Sequence, residues 1–411
     1  MKIFKFGGAS VKDADGVRNL ERIVRLEGAH DLMVVVSAMG KTTNALERVV
    51  EFLAAGKEEA ALTQWVDIID HHVAIMKDLG VQPGVDIRLQ GEIPYDPAKS
   101  YDENYDQIVS TGELLSTQII AVYLLKQGLS VEWWNMPKLL RTDDTWREAK
   151  VDDVASAQVI RAGWERPNRP AVVVTQGFIG GTEDGRRTTL GREGSDYTAA
   201  LLGNYLDAES VTIWKDVPGI LNADPRIEPD TVLIPSLRYQ DAVELSYSGA
   251  QIIHPKTIKP LENKHIPLFV KPFGDPNAAG SCISENGVGP IDIPVYIWRK
   301  NQILITMRPK DFAFVLEESL SEIFEIIHHH RLKVSLIQSS AVTISVCVDH
   351  TRFVPEALKA LQAHFNVSYN DRLALLTIRG TTPEILEQAK AGRTIMLSQT
   401  TRRTARLVVA E

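Results

Sequence analysis

The sequence predicts an α/β protein built on a parallel sheet, followed by a smaller α+β region at the carboxyl end. Short apolar runs, such as residues 172–174, are typical of strands covered on both faces. Three such runs lead through glycines or serines into segments whose apolar residues recur at helical spacing. From residue 297 onward, shorter strand and helix patterns alternate after a segment rich in Gly and Pro.

Length and composition define the class of protein. A chain of 411 residues is too long for one ordinary core, so two or three domains are expected. Hydrophobic residues make up 44% and charged residues 24%, which is typical of a globular protein and not of a disordered one. The net charge of −8 argues against a general nucleic-acid binder.

The number of cysteines and the first residues of the sequence indicate the cellular compartment of the protein. Cys282 and Cys347 are too few and too far apart for a disulfide framework or a metal cluster, and both are interpreted as core thiols. Met1 leads directly into a strand pattern, without a basic and apolar leader, and no apolar run approaches membrane-spanning length. These observations predict a cytoplasmic protein with no membrane contact.

The first strand pattern covers residues 1–6 and stops at Gly7 and Gly8, and residues 9–11 are predicted to open a helix. Strand, glycines and helix form an arrangement that cradles phosphate, and Lys5 lies at its mouth. The spacing of a Walker loop is absent. A surface lysine beside a glycine turn is the alternative interpretation.

The next segments repeat this pattern. Residues 31–40 read as a buried strand, and residues 42–44 cap a helix. Residues 51–110 are predicted to form peripheral helices, on which His71 and His72 are interpreted as surface residues. Glu113 lies in a helix, where it could simply be a first-turn charge favoured by the helix dipole.

Residues 171–196 are the stretch around which the chain is organised. A buried strand leads into a glycine-rich hairpin, then into the segment GREGSD and a helix with its cap near Ser195 or Asp196. Glycines beside a helix N-terminus can close on an anion. From this fragment alone, an anion site and an ordinary capped loop are equally good interpretations.

Five motifs together resemble those of aspartate kinase, a member of the amino acid kinase family. They are KFGGAS, VVVSAMGKTTN, STGELLS, GREGSD and WKDVPGILNADPR, in that order over roughly the first 275 residues. The resemblance implies a three-layer αβα sandwich and ATP-dependent phosphorylation of the β-carboxylate of L-aspartate. The product, 4-phospho-L-aspartate, begins the pathway to lysine, threonine, methionine and diaminopimelate.

The resemblance also implies residue roles. The residues implied in catalysis are Lys5 and Asp196. Those implied in aspartate binding are Ser37, Thr43, Glu113, Phe178, Arg192 and Ser195, with Glu113 on the α-ammonium and Arg192 on the α-carboxylate. Those implied in ATP binding are Lys5, Gly7, Gly8, Ser10, Lys215, Asp216, Leu221, Asp224, Arg226 and Lys256. For Lys256, a surface helix residue after Pro255 is the alternative.

Three positions depart from the commonest family forms. Glu193 stands where Gly is more frequent, Lys215 where Thr is frequent, and Leu221 where Tyr is frequent. The side chain of Glu193 is expected to point away from the substrate, because it would otherwise repel a carboxylate. Lys215 and Leu221 are expected to change nucleotide contacts without abolishing them.

The reaction can be argued from charge. The substrate carboxylate, with a pKa of about 4, is ionised at neutral pH and is already the nucleophile, so no general base is needed. Catalysis then consists of positioning and of neutralising the transferred phosphoryl through Lys5, Mg²⁺ and backbone amides. The ligands of Mg²⁺ are expected to be mostly phosphate oxygens and water, so no protein ligand is assigned.

The predicted domains are a catalytic domain over residues 1–280, a linker over residues 281–296 and a regulatory region over residues 297–411. The last region resembles two ACT domains, ferredoxin-like α+β modules, of which the second is either shortened or completed by other segments. In the family, amino-acid effectors bind between ACT domains of partner subunits, which implies a homodimer or a higher homo-oligomer. The histidines at 328–330 are interpreted as a helix end and not as a metal site.

Lysine-inhibited family members carry Gly, Asp and Glu at positions that match Glu318, Ser335 and Ala341 here. Because an effector ammonium needs carboxylate partners, we expect lysine to inhibit weakly or not at all.

Two alternatives remain open from the sequence. One is another kinase of the same fold, acting on glutamate or carbamate. The other is a catalytically silent amino-acid sensor, although Lys5, Arg192 and Asp196 are all present. A second activity, the homoserine dehydrogenase of bifunctional relatives, is not expected.

Overall fold

The computed structural model describes residues 1–82, 92–250, 253–288, 293–310 and 317–411. They divide into two compact units. The first comprises Met1–Ile220, Leu233–Val243 and Ile252–Gly289, and the second comprises Leu221–Val232, Glu244–Gln251 and Pro290–Glu411. The second unit therefore takes in two short segments that belong to the amino-terminal two thirds of the chain.

Helices and strands alternate along the chain. The helices are α1 Ala14–Leu26, α2 Thr42–Ala54, α3 Glu58–Asp78, α4 Tyr101–Val109, α5 Thr111–Lys126, α6 Asp153–Trp164, α7 Gly194–Tyr205, α8 Tyr239–Ser248, α9 Pro255–Glu262, α10 Glu317–His329, α11 Val354–His364 and α12 Pro383–Lys390. The strands are β1 Lys2–Phe6, β2 Leu32–Val36, β3 Val131–Trp134, β4 Val172–Gln176, β5 Ile179–Gly181, β6 Arg187–Thr189, β7 Ser210–Lys215, β8 Ile220–Leu221, β9 Leu233–Ile234, β10 Ser236–Arg238, β11 Leu268–Pro272, β12 Ser281–Ser284, β13 Val295–Pro309, β14 Val334–Ser339, β15 Ile344–Asp349, β16 Phe365–Arg379, β17 Ile395–Thr400 and β18 Thr404–Ala410.

An eight-stranded sheet forms the centre of the first unit, in the order β10-β12-β11-β7-β1-β2-β4-β3. All neighbours are parallel except β11 and β12. Lys5 pairs in register with Val35 of β2 and Ile213 of β7, so the loops after these three strands leave at one edge of the sheet. Strands β1, β2 and β4 are almost entirely buried, which explains their apolar runs. The predicted α/β class with a parallel core is confirmed.

Two predicted helix starts were wrong by a few residues. Helix α1 begins at Ala14 and not at residues 9–11, because Asp13 is its N-cap and accepts a hydrogen bond from the Gly16 N–H at 2.9 Å. Helix α7 begins at Gly194 with Glu193 in the N-cap position, ahead of the predicted Ser195 or Asp196. A third start differs by less: α2 begins at Thr42 with Lys41 in the N-cap position, so residues 42–44 lie inside the helix and do not cap it. At α2 and α7 no side chain caps the helix, so polar residues of the first turn were mistaken for caps.

The expectation that His72 lies on the surface was also wrong. Its side chain is fully buried on α3, where Nδ1 contacts the Ile68 carbonyl at 2.7 Å. Burial lowers the pKa of His72 to about 4. His71 is exposed, as adjacent residues on a helix face different sides. Of the two cysteines, Cys347 is buried as expected, whereas Cys282 is partly exposed; both are free thiols.

The segment predicted as a linker contains regular structure at its start. Ser281–Ser284 forms β12, which pairs with β10 and β11 inside the eight-stranded sheet. Strand β13 begins at Val295, and residues 289–292 lie outside the described residues, as does the segment 311–316 before α10. A boundary near residue 280 therefore stays a prediction.

One helical stretch, Tyr101–Lys126, is long and apolar enough to cross a membrane by length and composition alone. The expectation that no apolar run approaches membrane-spanning length is therefore wrong for this stretch. The stretch comprises α4 and α5, and 72% of its most apolar window is buried inside the protein, which is typical of a core helix. It also carries the buried carboxyl groups of Asp106 and Glu113.

The second unit contains a six-stranded antiparallel sheet in the order β14-β15-β13-β16-β18-β17. Strands β13 and β16 are long and serve both halves of this sheet. The start of β13 pairs Val295 with Arg379, whereas its end pairs Pro309 with Phe365. The first half of β13 therefore pairs with the second half of β16, which also pairs with β18, so a segment from before α10 completes the half of the sheet on which α12 packs. Helices α10 and α11 cover one half of the sheet, and α12 packs on the other.

Candidate active site

A buried ion pair lies where β1 meets the first turn of α7. Lys5 Nζ is 2.6 Å from Asp196 Oδ1, and Lys215 Nζ is 3.8 Å from Asp196 Oδ2. The Asp196 side chain is 4% exposed and that of Lys5 is 10% exposed. Burial alone would raise the pKa of Asp196, but the charges of Lys5 and Lys215 hold it below its usual range. Asp196 therefore lies between two ammonium groups, where an anionic ligand would meet Lys5 and Lys215.

The glycine loop after β1 packs against the loop after β2 with no room for a side chain. A Cβ at Gly8 would lie 2.6 Å from the Ala38 carbonyl oxygen, and the Gly40 N–H donates to the Gly8 carbonyl at 2.9 Å. Ser10 is buried, and its hydroxyl donates to the Trp214 carbonyl at 3.5 Å. The loop thus keeps its backbone close to the Lys5 end of the sheet, as a phosphate cradle requires.

Glu113 extends from the first turn of α5 towards the same edge. Its Oε1 accepts a hydrogen bond from the Ala38 N–H at 3.1 Å. Its Oε2 is buried and has no hydrogen-bond partner in the described part of the chain. Burial raises the pKa of Glu113 to about 8. Gly112 permits the close approach, because a Cβ there would lie 2.9 Å from the Ala38 side chain. A buried, unpartnered carboxyl oxygen is suited to an ammonium ligand.

Two serines connect this edge to the loop after β4. The Ser37 hydroxyl donates to Ser195 Oγ at 2.9 Å. A Cβ at Gly177 would lie 2.6 Å from Ser195 Cβ, so only glycine fits there. Phe178 has a φ of +70°, and its N–H donates to Thr198 Oγ1 at 3.0 Å on α7. The structure therefore brings Lys5, Ser37, Glu113, Ser195 and Asp196 together at the carboxyl ends of β1, β2 and β4.

Other predicted substrate residues lie at the edge of this group. Arg192 is exposed and Thr43 is half-buried in the first turn of α2. The structure shows no hydrogen bond or ion pair for either side chain within the described ranges. Their roles stay predictions.

Glu193 occupies a strained backbone position beside Arg192. Its φ is +54°, which costs a residue other than glycine about 1–2 kcal/mol. Its Oε2 accepts a hydrogen bond from the His254 N–H at 2.7 Å, directly before α9. A hydrogen bond to a charged group contributes about 1.5–3 kcal/mol, enough to offset the strain. The glutamate that replaces the common glycine thus has a defined partner.

Lys256, a predicted nucleotide ligand, lies two residues after His254 in the first turn of α9. Its Nζ donates to the Leu190 carbonyl at 2.8 Å and lies 5.5 Å from the centre of the Tyr197 ring. Burial lowers the pKa of the Lys256 ammonium.

The remaining predicted nucleotide residues belong to different units. Lys215 is half-buried and Asp216 is exposed at the end of β7 in the first unit. Leu221, Asp224 and Arg226 belong to the second unit, where Arg226 Nη2 lies 2.6 Å from Asp224 Oδ2. No group of three or more His, Cys, Asp and Glu side chains able to hold a metal ion occurs among the described residues.

Sequence reasoning missed Asp106, a fully buried carboxylate on α4. It accepts hydrogen bonds from the Thr189 N–H at 2.9 Å and from Thr189 Oγ1 at 2.7 Å, and also from the Arg147 N–H. Burial raises its pKa to about 6. Asp106 therefore fixes the end of β6, directly before the loop that carries Arg192. The only sequence signal was an acidic residue between buried apolar positions of a helix.

Comparison with known proteins identifies the family. The sequence profile described as the amino acid kinase family matches residues 1–272. Lysine-sensitive aspartokinase 3 of Escherichia coli (strain K12) is 32% identical over 393 residues, which cover 92% of this chain and 86% of that protein. The chain belongs to the aspartate kinases of the amino acid kinase family. An aspartokinase of Chlamydia trachomatis is 30% identical over 387 residues, with the same coverage of 92% and 86%.

Solved aspartate kinases also share the fold. The crystal structure of E. coli aspartokinase III with aspartate and ADP, in the R state, matches with a TM-score of 0.82 at 30% identity, covering 100% of this chain and 96% of that one. The T-state structure of the same enzyme, with lysine and aspartate, matches with a TM-score of 0.77.

Proposed function

We propose that this aspartate kinase transfers the γ-phosphoryl group of ATP to the β-carboxylate of L-aspartate. The observation that carries the proposal is the buried Lys5–Asp196 pair beside the unpartnered Oε2 of Glu113. The pair places the Lys5 ammonium where a phosphoryl group can meet it, and Glu113 offers a carboxyl oxygen to an ammonium. The motifs and the aspartokinase relatives support the same reaction.

Aspartate would be held by its two α-substituents. Glu113 binds the α-ammonium through Oε2, and the fork of Arg192 binds the α-carboxylate. Ser37, Thr43, Phe178 and Ser195 line the remainder of the pocket. The β-carboxylate then faces Lys5.

Phosphoryl transfer needs positioning and charge neutralisation. The β-carboxylate is ionised at neutral pH and attacks the γ-phosphorus without a general base. The Lys5 ammonium, oriented by Asp196, neutralises charge on the transferring oxygens. The nucleotide would arrive as its Mg²⁺ complex, held mostly through phosphate oxygens and water, and the ion would supply further neutralisation of phosphate charge.

The nucleotide would lie across the loops after β1 and β7. Gly7, Gly8 and Ser10 place the phosphate cradle, and Lys256 and Arg226 contact the phosphates. Lys215, Asp216, Leu221 and Asp224 surround the remainder of the nucleotide. Lys215 is also close enough to Asp196 to act on the phosphates.

The test is ATP turnover with Mg²⁺ and L-aspartate, in which hydroxylamine traps the acyl phosphate as a hydroxamate. Aspartate-dependent product that disappears in Lys5→Ala, but not in the control Lys2→Ala on the same strand, supports the proposal. Among the described residues, the Lys2 side chain makes one ion pair, with Glu27 at 3.2 Å, and both side chains are half-buried. Turnover with glutamate or carbamate in place of aspartate would favour another kinase of the family, and no turnover with any acceptor would favour a sensor.

The carboxyl-terminal repeats are proposed to form an ACT regulatory region over residues 297–411, joined by residues 281–296 to a catalytic domain over 1–280. Lysine is a poor candidate effector. Ser335 accepts a hydrogen bond from Arg299 Nη1 at 2.8 Å, so a cation already occupies the place where an effector ammonium would need a carboxylate. Glu318 and Ala341 are exposed.

We further propose a cytoplasmic homodimer or higher homo-oligomer that acts at the start of amino-acid biosynthesis from aspartate. The proposal rests on the resemblance to ACT modules. Light scattering on the purified chain tests it, and a monomer at micromolar concentration would contradict it.

A further inference from the structure

Two contacts in opposite directions connect the loop after β6 with the start of α9. The Glu193 carboxylate accepts from the His254 N–H at 2.7 Å, so a loop side chain binds the backbone ahead of α9. The Lys256 ammonium donates to the Leu190 carbonyl at 2.8 Å, so a side chain of α9 binds the loop backbone. The loop 190–194 and the segment 254–256 therefore hold each other in place.

The backbone at residue 193 does not itself favour glutamate. The loop is a four-residue turn closed by the Gly194 N–H on the Gly191 carbonyl at 3.0 Å, with Glu193 as its third residue. Its φ of +54° is a conformation that glycine adopts freely. Since glycine would suit the turn better, what the glutamate adds is its carboxylate and the contact with His254.

The carboxylate also acts on the charge of its neighbour. Burial lowers the pKa of Lys256, while the carboxylates of Glu148 and Glu193 raise it. Glu193 thus helps to keep the Lys256 ammonium protonated as well as in position.

We propose that Glu193 is a positioning residue for the nucleotide: by binding the His254 N–H it fixes the turn from which Lys256 reaches the phosphates. The inference rests on the proposed function, in which Lys256 contacts ATP. Through its contact with the His254 N–H, Glu193 connects the loop that carries Arg192 to the residues proposed to bind the nucleotide. Glu193 itself contacts neither substrate, so its effect on ATP passes through Lys256.

The test compares Glu193→Gly, Glu193→Ala and Glu193→Gln by calorimetric ATP binding without an acceptor, and by KM and kcat. Gly removes both the contact and the strain, Ala removes the contact alone, and the Gln amide oxygen still accepts from His254. We expect about tenfold weaker ATP binding for Gly and Ala, a change within about threefold for Gln, and a smaller change in the KM for aspartate. Thermal stability of Glu193→Gly should stay close to that of the parent, because the strain that is relieved and the hydrogen bond that is lost are of similar size.

Ala29→Gly is the matched control for strain, because Ala29 has a φ of +35° in the turn after α1. It should change stability without changing ATP affinity. A Glu193→Gly enzyme that binds ATP like the parent would overturn the proposal.

A double-mutant cycle with Lys256→Ala locates the effect. In that background Glu193→Gly should weaken ATP binding by less than about twofold, because the residue through which it acts is gone. If the fold-losses of ATP affinity in the two single variants multiply in the double variant, Glu193 does not act through Lys256. Because ATP binding is measured without an acceptor, the result can be interpreted even if aspartate is not the acceptor substrate.

Discussion

The two units differ in where they keep their charges. Among the residues described, the first unit buries six side chains of Asp, Glu, Lys or His, namely Lys5, His72, Glu103, Asp106, Glu113 and Asp196. The described part of the second unit buries no Asp, Glu, Lys, Arg or His; its buried polar side chains are Asn222, Gln302 and Thr377. Its one buried thiol, Cys347, has its pKa raised to about 12 by burial and stays neutral.

This difference in buried charge indicates that the first unit holds a chemical site, whereas the described part of the second unit does not bury charged groups. Burying a charge costs stability, and proteins retain such groups where chemistry needs them. In the first unit, three of the six, Lys5, Glu113 and Asp196, lie together at the strand ends of the candidate active site. The second unit has an apolar core and presents its charged groups at the surface, as a module that binds through exposed strands and loops can do.

The largest effect should come from removing the central pair. Lys5→Ala should lower kcat by about 10²- to 10³-fold, because it removes the cation that neutralises the transferred phosphoryl and leaves Asp196 beside Lys215 alone. Steady-state hydroxamate formation measures this, with Lys2→Ala as the control. A loss below tenfold would mean that the buried pair is structural.

The second prediction concerns Glu113. Because burial raises its pKa to about 8, most of Glu113 is protonated at pH 7 in the free protein. An ammonium favours the ionised form, so aspartate binding at pH 7 should release a proton, and this release should fade as the pH rises past 8. Calorimetry in buffers of different ionisation enthalpy counts the protons.

Glu113→Gln is the variant that checks this assignment. It should abolish the proton release and weaken aspartate binding by about 10²-fold, since the amide carries no charge to pair with the ammonium. Proton release that persists in this variant would assign the effect to another group.

The third prediction concerns the stability of the first unit in acid. The pKa of His72 is about 4 in the folded protein against an ordinary 6.5. Between these values the unfolded chain binds the extra proton, so His72 makes the free energy of unfolding fall as the pH falls from 6.5 to 4. The full change is about 3 kcal/mol, at 1.36 kcal/mol for each pKa unit.

The matched variant is His72→Gln, whose amide can still donate to the Ile68 carbonyl. Asp106 and Glu113 have raised pKa values and act in the opposite direction, so the difference between parent and variant isolates His72. Urea unfolding at several pH values should show the two curves diverging below pH 6.5. Parallel curves would contradict the buried, neutral imidazole.

The same contrast explains what the sequence could predict. Strands β1, β2, β4 and β7 and their glycine loops were found because apolar runs and motifs are local in the chain. The contacts of Glu193 with His254 and of Asp106 with Thr189 join residues 61 and 83 positions apart, and no local pattern marks them. In the second unit alternating strand and helix patterns were visible, but the pairing of β13 with β16 along its whole length depends on contacts that periodicity does not encode.

The fourth prediction tests Lys215, where the family often has threonine. The Lys215 ammonium lies near Asp196 and is proposed to act on the phosphates. Lys215→Thr should therefore weaken binding of a non-hydrolysable ATP analogue about tenfold more than it weakens binding of ADP. The reason is that the analogue carries the additional negative charge of the γ-phosphate. Lys215→Arg, which keeps the charge, is the control. Equal losses for both nucleotides would place Lys215 at the adenosine instead.

The smallest effect is expected in the second unit. Lysine should not inhibit turnover below millimolar concentration. Arg299 donates to Ser335 and also to the Ser248 carbonyl at 3.1 Å. These contacts hold a guanidinium where an effector ammonium would need negative charge. Titrating lysine and threonine separately into the hydroxamate assay measures this. Micromolar inhibition by lysine would show that the second unit binds a cation through groups other than those at positions 318, 335 and 341, and that surface charge can regulate without a buried carboxylate.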